Sequence, residues 1–212
     1  MRLKLVFAAA CLALSASSHA TLLKNGGAEL GTLEGWTAGG VSSPGIDDGS
    51  FDEGINPRTG SFMFYGGRGS FGSLTQSVLL PNYGQSRQVR VSFWEQGLDQ
   101  DIPSDQGYVS LTWRDIDGGV LGSVQTPGID SHDGIWTNWN GLFAVPASAF
   151  TVDYTMHFVR NVGRDLDAFF DENELTMVPE PGSIAMLALG ALALAGVQRR
   201  SRRPALRPLT AA

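Results

Sequence analysis

The chain has 212 residues, room for one domain plus processing segments. Its 21 acidic residues exceed its 15 basic ones, and its single cysteine is Cys11. Beyond that N-terminal position there is no disulfide, thiol nucleophile or cysteine metal site to consider. The N-terminus reads as an export signal. Met1-Arg2-Leu3-Lys4 carries two cations, an apolar run from Leu5 to Ala16 follows, and Ser18 and Ala20 form an A-x-A-like cleavage site. Cleavage is expected after Ala20, so residues 1–20 form a removable signal helix that contains Cys11. Ala8-Ala9-Ala10-Cys11 is a weak lipoprotein box, because too few apolar residues precede the cysteine.

From residue 21 onward the pattern is that of strands. Val89, Val91 and Phe93 alternate with Arg90, Ser92 and Trp94; Val109, Leu111 and Trp113 alternate with Tyr108, Ser110 and Thr112. Phe150, Val152, Tyr154, Met156 and Phe158 alternate with Thr151, Asp153, Thr155 and His157. A period of two marks a half-buried strand with one apolar and one wet face. Shorter strands are predicted over Ser61–Tyr65, Leu74–Leu80, Val120–Val124, Asn138–Val145 and Ala168–Val178. Turn signals such as Asp48-Gly49, Gly66-Gly67, Asp117-Gly118-Gly119 and Asp133-Gly134 separate them. No amphipathic helix interrupts this stretch. The fold class predicted for residues 21–177 is all-β, an antiparallel jelly-roll β-sandwich of seven to nine strands.

The C-terminus changes character again. Val178-Pro179-Glu180-Pro181 precedes an apolar run, and Arg199, Arg200, Arg202, Arg203 and Arg207 follow with no acid after Glu180. An apolar helix over about 182–197 abutted by arginines at 198–207 is expected to be a single transmembrane helix, with the arginines on the cytoplasmic side. The three parts in this order resemble the PEP-CTERM sorting signal of Gram-negative bacteria. That resemblance implies recognition of Pro179, Glu180 and Pro181 by an exosortase, after anchorage in the inner membrane with the domain outside. Processing would then leave the protein at the cell surface or in the extracellular matrix. Between Ala20 and Gly182, 21 acidic and eight basic residues give a net charge of −13, which excludes nucleic-acid binding by phosphate neutralisation.

Within residues 22–177 a second resemblance concerns the fold. Leu23-Lys24-Asn25-Gly26-Gly27-Ala28-Glu29 followed by Gly35-Trp36 is similar to the N-terminal signature of galactose-binding-like β-sandwiches, shared by many carbohydrate-binding modules. Leu74-Thr75-Gln76 and Phe170-Asp171-Glu172-Asn173-Glu174-Leu175-Thr176 resemble two later strands of the same group. Ala28 and Asn173 depart from it, standing where Phe and Val are usual. In such modules a structural calcium joins the first strand to the last, and the matching positions are Glu29 and Asp171. The competing reading is that Glu29 caps a turn and Asp171 pairs with an arginine.

Of the five tryptophans, Trp36 belongs to the core signature that the resemblance implies and Trp113 shares its strand face with Val109 and Leu111, whereas Trp94, Trp136 and Trp139 are the candidates for a carbohydrate-binding platform. Asp99 to Asp105 reads as a solvated acidic loop, lacking the glycine and final Glu of a calcium-binding EF-hand. Glu95, Asp115 and Asp153 are candidates for a glycosidase acid and base, a weak signal in so acidic a chain. The function expected is an exported, non-catalytic envelope or matrix protein that binds extracellular polysaccharide. The alternatives are a purely structural surface protein and a glycan-active hydrolase.

Overall fold

The structure, a computed structural model, describes residues 20–81, 84, 85, 87–100, 105–129, 132–178 and 190. The expected signal helix, the transmembrane helix, Pro179, Glu180, Pro181 and the arginines 199, 200, 202 and 203 lie outside the described residues. Among the described residues no helix is long and apolar enough to cross a membrane. The chain divides into two compact units, Met1–Met177 and Val178–Ala212.

Among the described residues the first unit is all-β. Its ten strands are β1 (Thr37–Gly40), β2 (Gly45–Asp47), β3 (Met63–Arg68), β4 (Phe71–Leu79), β5 (Arg87–Gly97), β6 (Gln106–Arg114), β7 (Val120–Gln125), β8 (Thr137–Val145), β9 (Thr151–Val159) and β10 (Asp165–Val178). They form two five-stranded sheets of order β1-β4-β9-β6-β7 and β2-β3-β10-β5-β8. The paired strands run antiparallel, as the sequence predicts.

Alternation sets the layers. Val152, Tyr154, Met156 and Phe158 of β9 are fully buried between the sheets, with Val109, Leu111 and Trp113 beside them from β6. Val89, Val91 and Phe93 supply the facing surface from β5. Phe158 of one sheet meets Phe170 of the other edge-on at 5.2 Å, and Trp36 packs against Phe64 and Tyr154 at 5.3 and 6.0 Å. Such edge-to-face contacts add to the burial energy of the rings. Trp36 and Trp113 are core residues, as the resemblance implies for the first and the alternation predicts for the second.

The signature segments act as clamps on the N-terminal segment. Gln76 receives the Lys24 N–H at 2.7 Å on Oε1 and donates from Nε2 to the Lys24 carbonyl at 2.9 Å. Asn173 donates from its backbone and its side chain to the Gly26 carbonyl, at 2.9 and 3.0 Å. Its Oδ1 accepts the buried Tyr154 hydroxyl at 3.0 Å. The polar residue where Val is usual is therefore satisfied on every side. Gly26 must be glycine, since a Cβ there would stand 2.1 Å from the Asn173 carbonyl oxygen.

Two edge strands, β1 and β2, go beyond the sequence expectation. Their residues Thr37-Ala38-Gly39-Gly40 and Gly45-Ile46-Asp47 carry no alternation and are recruited by pairing with β4 and β3. Strand β3 starts at Met63 rather than Ser61 because the Ser61 and Phe62 amides donate to the Glu29 carboxylate instead of to a neighbouring strand.

Candidate functional site

Residues that precede or alternate with the core positions of β5 and β8 face outward from the β2-β3-β10-β5-β8 sheet. On this outer face Met63, Phe169 and Ile55 form a second, smaller apolar cluster, flanked by Phe51, Tyr65, Leu98 and Trp136. The 48–60 segment reaches this face because Asp47 Oδ1 accepts the Ser50 and Phe51 amides, turning the chain back after β2.

The register separates the predicted tryptophans. Trp94 lies opposite Asn138 on the outer face, where the Arg58 guanidinium sits 3.6 Å from its ring centre. Arg58 also pairs with Glu172, so this indole face is already covered by a cation. Trp136 donates to the Asn56 carbonyl at 3.2 Å and packs on the outer cluster. Trp139 is different. It lies opposite Phe93, stacks on it at 5.7 Å and on Phe143 at 5.8 Å, and belongs to the core-facing side. Trp94, Trp136 and Trp139 therefore do not form one platform. Trp139, Phe143 and Val145 stand at even spacings along β8 and so share one face, and that period was the available sign that Trp139 turns inward.

Beside Trp136 an open cleft of about 520 Å³ is lined by residues that include Asp52, Ile55, Gln96, Leu98, Asp99 and Asp133. Gln96 Nε2 donates to the Gly134 carbonyl at 2.6 Å and fixes one wall. Below the 52–55 turn lies a cluster of carboxyl groups. Asp52 and Asp167 hydrogen-bond to each other, and burial raises both from their ordinary values, Asp167 to about 7. The charges of Asp52, Asp105 and Asp165 push Asp167 further in the same direction. Asp105 is only 1% exposed, and its carboxylate accepts the Asn161, Val162 and Asp167 amides. The expectation of a solvated loop fails at this residue. Three amide donors from a distant segment hold it inside, and nothing local in the sequence marks them.

Glu29 and Asp171 come together around Gly27. A Cβ on that glycine would lie 3.6 Å from Asp171 Oδ1 and 3.9 Å from Glu29 Cγ. Asp171 is fully buried and accepts the Thr59 and Glu172 amides. Burial, with Glu172 adding to it, raises its carboxyl to about 6. The arginine of this region pairs with Glu172, not with Asp171, and Glu29 clamps the 61–62 backbone rather than its own turn. Beside this glycine stand the Asp171 carboxylate, buried without a cationic partner among the described residues, and the Glu29 stem, and carboxylate oxygens are the donors a hard divalent cation takes. Among the described residues no group of three or more acidic, histidine or cysteine side chains converges to hold a metal ion, so backbone oxygens would have to complete such a site.

The hydrolase candidates disperse. Asp153 pairs with Arg114 at 2.7 Å, Asp115 accepts the Asp117 and Gly119 amides in the β6–β7 turn, and Glu95 is buried between the sheets against Gly107. His157 accepts or donates at 2.8 Å to Ser110 and stacks on Tyr108 at 4.4 Å, on the outer face of the other sheet. Burial lowers His157 to about 4, which keeps it neutral at pH 7. Its Nδ1 has no hydrogen-bond partner to orient the ring, so the pair lacks the third member of a nucleophilic triad.

Residues 178–203 match the PEP-CTERM protein-sorting motif. No curated protein matches the chain in sequence. Among solved structures, the CBM22-1 xylan-binding domain of Paenibacillus barcinonensis Xyn10C superposes with a TM-score of 0.56 at 17% identity, covering 78% of this chain and 99% of that one. TmCBM61 in complex with β-1,4-galactotriose gives 0.51 at 21% identity, over 76% and 99% of the two chains. The enzymatically active domain of bacteriophage CBA120 tailspike protein 4 gives 0.55 at 14% identity over 74% of this chain, which spans 21% of that much longer one. At these identities the likeness is one of fold: a β-sandwich of the kind found in carbohydrate-binding modules.

Proposed function

We propose that the chain is an exported, non-catalytic surface protein whose β-sandwich binds extracellular polysaccharide. The PEP-CTERM motif at residues 178–203 supports export and processing by an exosortase acting at Pro179, Glu180 and Pro181, upstream of a membrane helix over about 182–197 and the stop arginines Arg199, Arg200, Arg202 and Arg203. The domain limits read from the sequence, 21–177 for the sandwich and 178–212 for the tail, are part of this reading. The observation that carries glycan binding is the open cleft beside Trp136, on the outer face of one sheet of a fold shared with carbohydrate-binding modules. Open clefts with an apolar floor and a few convergent polar groups are the ordinary form of a ligand site. Non-catalytic binding is supported by the separate engagement of Asp153, Asp115 and the buried Glu95.

A structural calcium held by Glu29 and Asp171 belongs to the same reading. It would supply the positive charge that the buried Asp171 lacks, and would tie the N-terminal segment and the 58–62 segment to β10.

Affinity electrophoresis of the full chain through gels containing a panel of polysaccharides tests the glycan reading. Retardation in at least one gel, reduced by Trp136→Ala and not by Trp139→Ala, is the expected result. Unretarded migration in every gel would leave a purely structural surface protein, a reading favoured by the Arg58 side chain that covers Trp94.

A further inference from the structure

Residues 48–62, all among the described residues, join β2 to β3 without a strand of their own. Within them, residues 50–56 form a lobe laid on the outer face of the β2-β3-β10-β5-β8 sheet. Phe51 packs against Tyr65 and Phe169 at 4.6 and 6.5 Å, Ile55 sits with Met63 and Phe169, and the Asn56 carbonyl accepts Trp136 Nε1 at 3.2 Å. The lobe is one wall of the cleft, contributing Asp52, Glu53, Gly54 and Ile55, with Gln96 of β5 and Asp133 among the residues that line the rest. An irregular segment held by a few side chains opens more readily than the paired strands beneath it.

One further tie runs from the lobe to β10, and it needs a proton. Asp52 and Asp167 hydrogen-bond to each other, yet an ionised carboxylate only accepts. When both are ionised, Asp52 Oδ2 and Asp167 Oδ1 are buried without a partner. A single proton turns the pair into an O–H donor facing a carboxylate, one of the stronger hydrogen bonds. Burial is the largest influence on both groups, and the bond itself lowers Asp52 and raises Asp167, so Asp167 donates and Asp52 accepts. The charges that act on the pair are of one sign. Asp165 of β10 and Asp47 of β2 act on Asp52, while Asp105, ahead of β6, and Asp165 act on Asp167. Asp105 is held by three amide donors and Asp47 by the Ser50 and Phe51 amides. Asp165 pairs at 3.2 Å with Arg68 of β3, whose side chain is 70% exposed and so stands mostly in solvent. Loss of the shared proton therefore adds a second charge to a setting already bordered by Asp47, Asp105 and Asp165, and the tie becomes a repulsion.

We propose that the Asp52–Asp167 pair is a proton-operated latch: with one shared proton it holds the 50–56 lobe against β10 and keeps that wall of the cleft closed, and when the proton leaves, the lobe lifts from the sheet and the cleft widens. The latch controls the cleft whatever its ligand, so it goes beyond the glycan reading and does not depend on it. The sign follows from the pair. With Asp167 raised to about 7, the closed lobe binds the proton more tightly than the open one, so the latch is shut below that pH and released as pH rises through it.

The test is amide hydrogen exchange of the full chain in mild detergent and chelator, corrected for the intrinsic pH dependence of exchange. The lobe amides are compared with those of β9. Between about pH 6 and about pH 8.5 the opening equilibrium of the lobe should rise about tenfold, the change a group at about 7 in the closed state imposes over that range. At the higher pH it should exceed that of β9 by about a hundredfold or more, the mark of local rather than global opening. Asp167→Asn, whose amide donates to Asp52 at any pH, should keep the lobe protected throughout and abolish the pH dependence. Asp167→Ala should leave the lobe open at both pH values, and the nearly isosteric asparagine variant decides the matter even where the alanine variant does not fold. Lobe exchange that is unchanged with pH in the unaltered chain, or a pH dependence that persists in Asp167→Asn, overturns the latch. Lobe amides exchanging no faster than those of β9 overturn it in favour of titration with the whole domain. Calcium chloride that protects the lobe again at about pH 8.5, an effect lost in Asp167→Asn, overturns the proton as the closing ligand in favour of a metal ion.

Discussion

Asp171 Oδ1 of β10 and the Cγ methylene of Glu29, in the N-terminal segment, lie 3.6 and 3.9 Å from where a side chain on Gly27 would begin. The two carboxylates come from opposite ends of the domain, and each also holds backbone amides of the 59–62 segment. Three separate stretches of chain therefore meet around these two acidic side chains.

Calcium should stabilise the fold through this point. In thermal melts of the full chain, calcium at a hundredfold excess over its dissociation constant should add about 2.7 kcal/mol relative to chelator. Asp171→Ala should remove the calcium-dependent part of the melting temperature. A melting temperature indifferent to calcium in the unaltered chain would dispose of the site.

Without divalent ions, acidification should stabilise the domain between pH 8 and pH 5. Asp167 is raised to about 7 and Asp171 to about 6, so the folded state binds protons more tightly than the unfolded chain. The resulting stability is fully present below the ordinary carboxyl value of 3.8 and is lost as pH rises through about 6 and then about 7. Asp167→Asn should flatten the upper part of the profile. Melting temperatures in chelator across this range decide it, and a profile that rises with pH would contradict the sign.

Gln76→Leu should destabilise the sandwich. The substitution leaves both the N–H and the carbonyl of Lys24 without their partner in a part-buried setting. The cost is expected to be about 1–3 kcal/mol for each group left unpaired, less where water reaches it. Urea unfolding gives the value, and a change under about 0.5 kcal/mol would place it with ordinary surface substitutions.

Gly26→Ala should be more severe than Gly54→Ala. The added carbon at residue 26 would meet the Asn173 carbonyl oxygen at 2.1 Å, a backbone group that cannot move without β10. At Gly54 there is open space, and the cost comes only from its φ of 90°. A loss of about 3 kcal/mol or more is expected at Gly26 and about 1–2 kcal/mol at Gly54. Equal melting temperatures for the two variants would contradict the close approach.

Removing Arg58 should uncover Trp94. The guanidinium lies 3.6 Å from the ring centre, and Arg58→Ala would open that face to solvent. Acrylamide quenching of the chain's tryptophan fluorescence should increase in this variant, and should not increase when Trp94 is also replaced by Phe. Unchanged quenching in the single variant would show that the contact is not kept in solution.

The sequence by itself determined the layers of this protein. Alternation in β5, β6 and β9 is a local property, set by a side-chain period of two, so it could be read without knowing any partner. The clamp residues Gln76 and Gly26 were legible as a signature and Asn173 as a departure from it, although their hydrogen bonds were not. The sorting motif at 178–203 was legible because its proline pair, apolar run and arginines follow one another along the chain. What tertiary structure alone decided is which residues meet across it. It placed Arg58 over Trp94, buried Asp105 under amides of residues 161, 162 and 167, and set Asp52 against Asp167. It also recruited β1 and β2 as edges by pairing alone. These arrangements depend on strand register and on contacts between distant segments, and neither leaves a periodic trace in the local sequence.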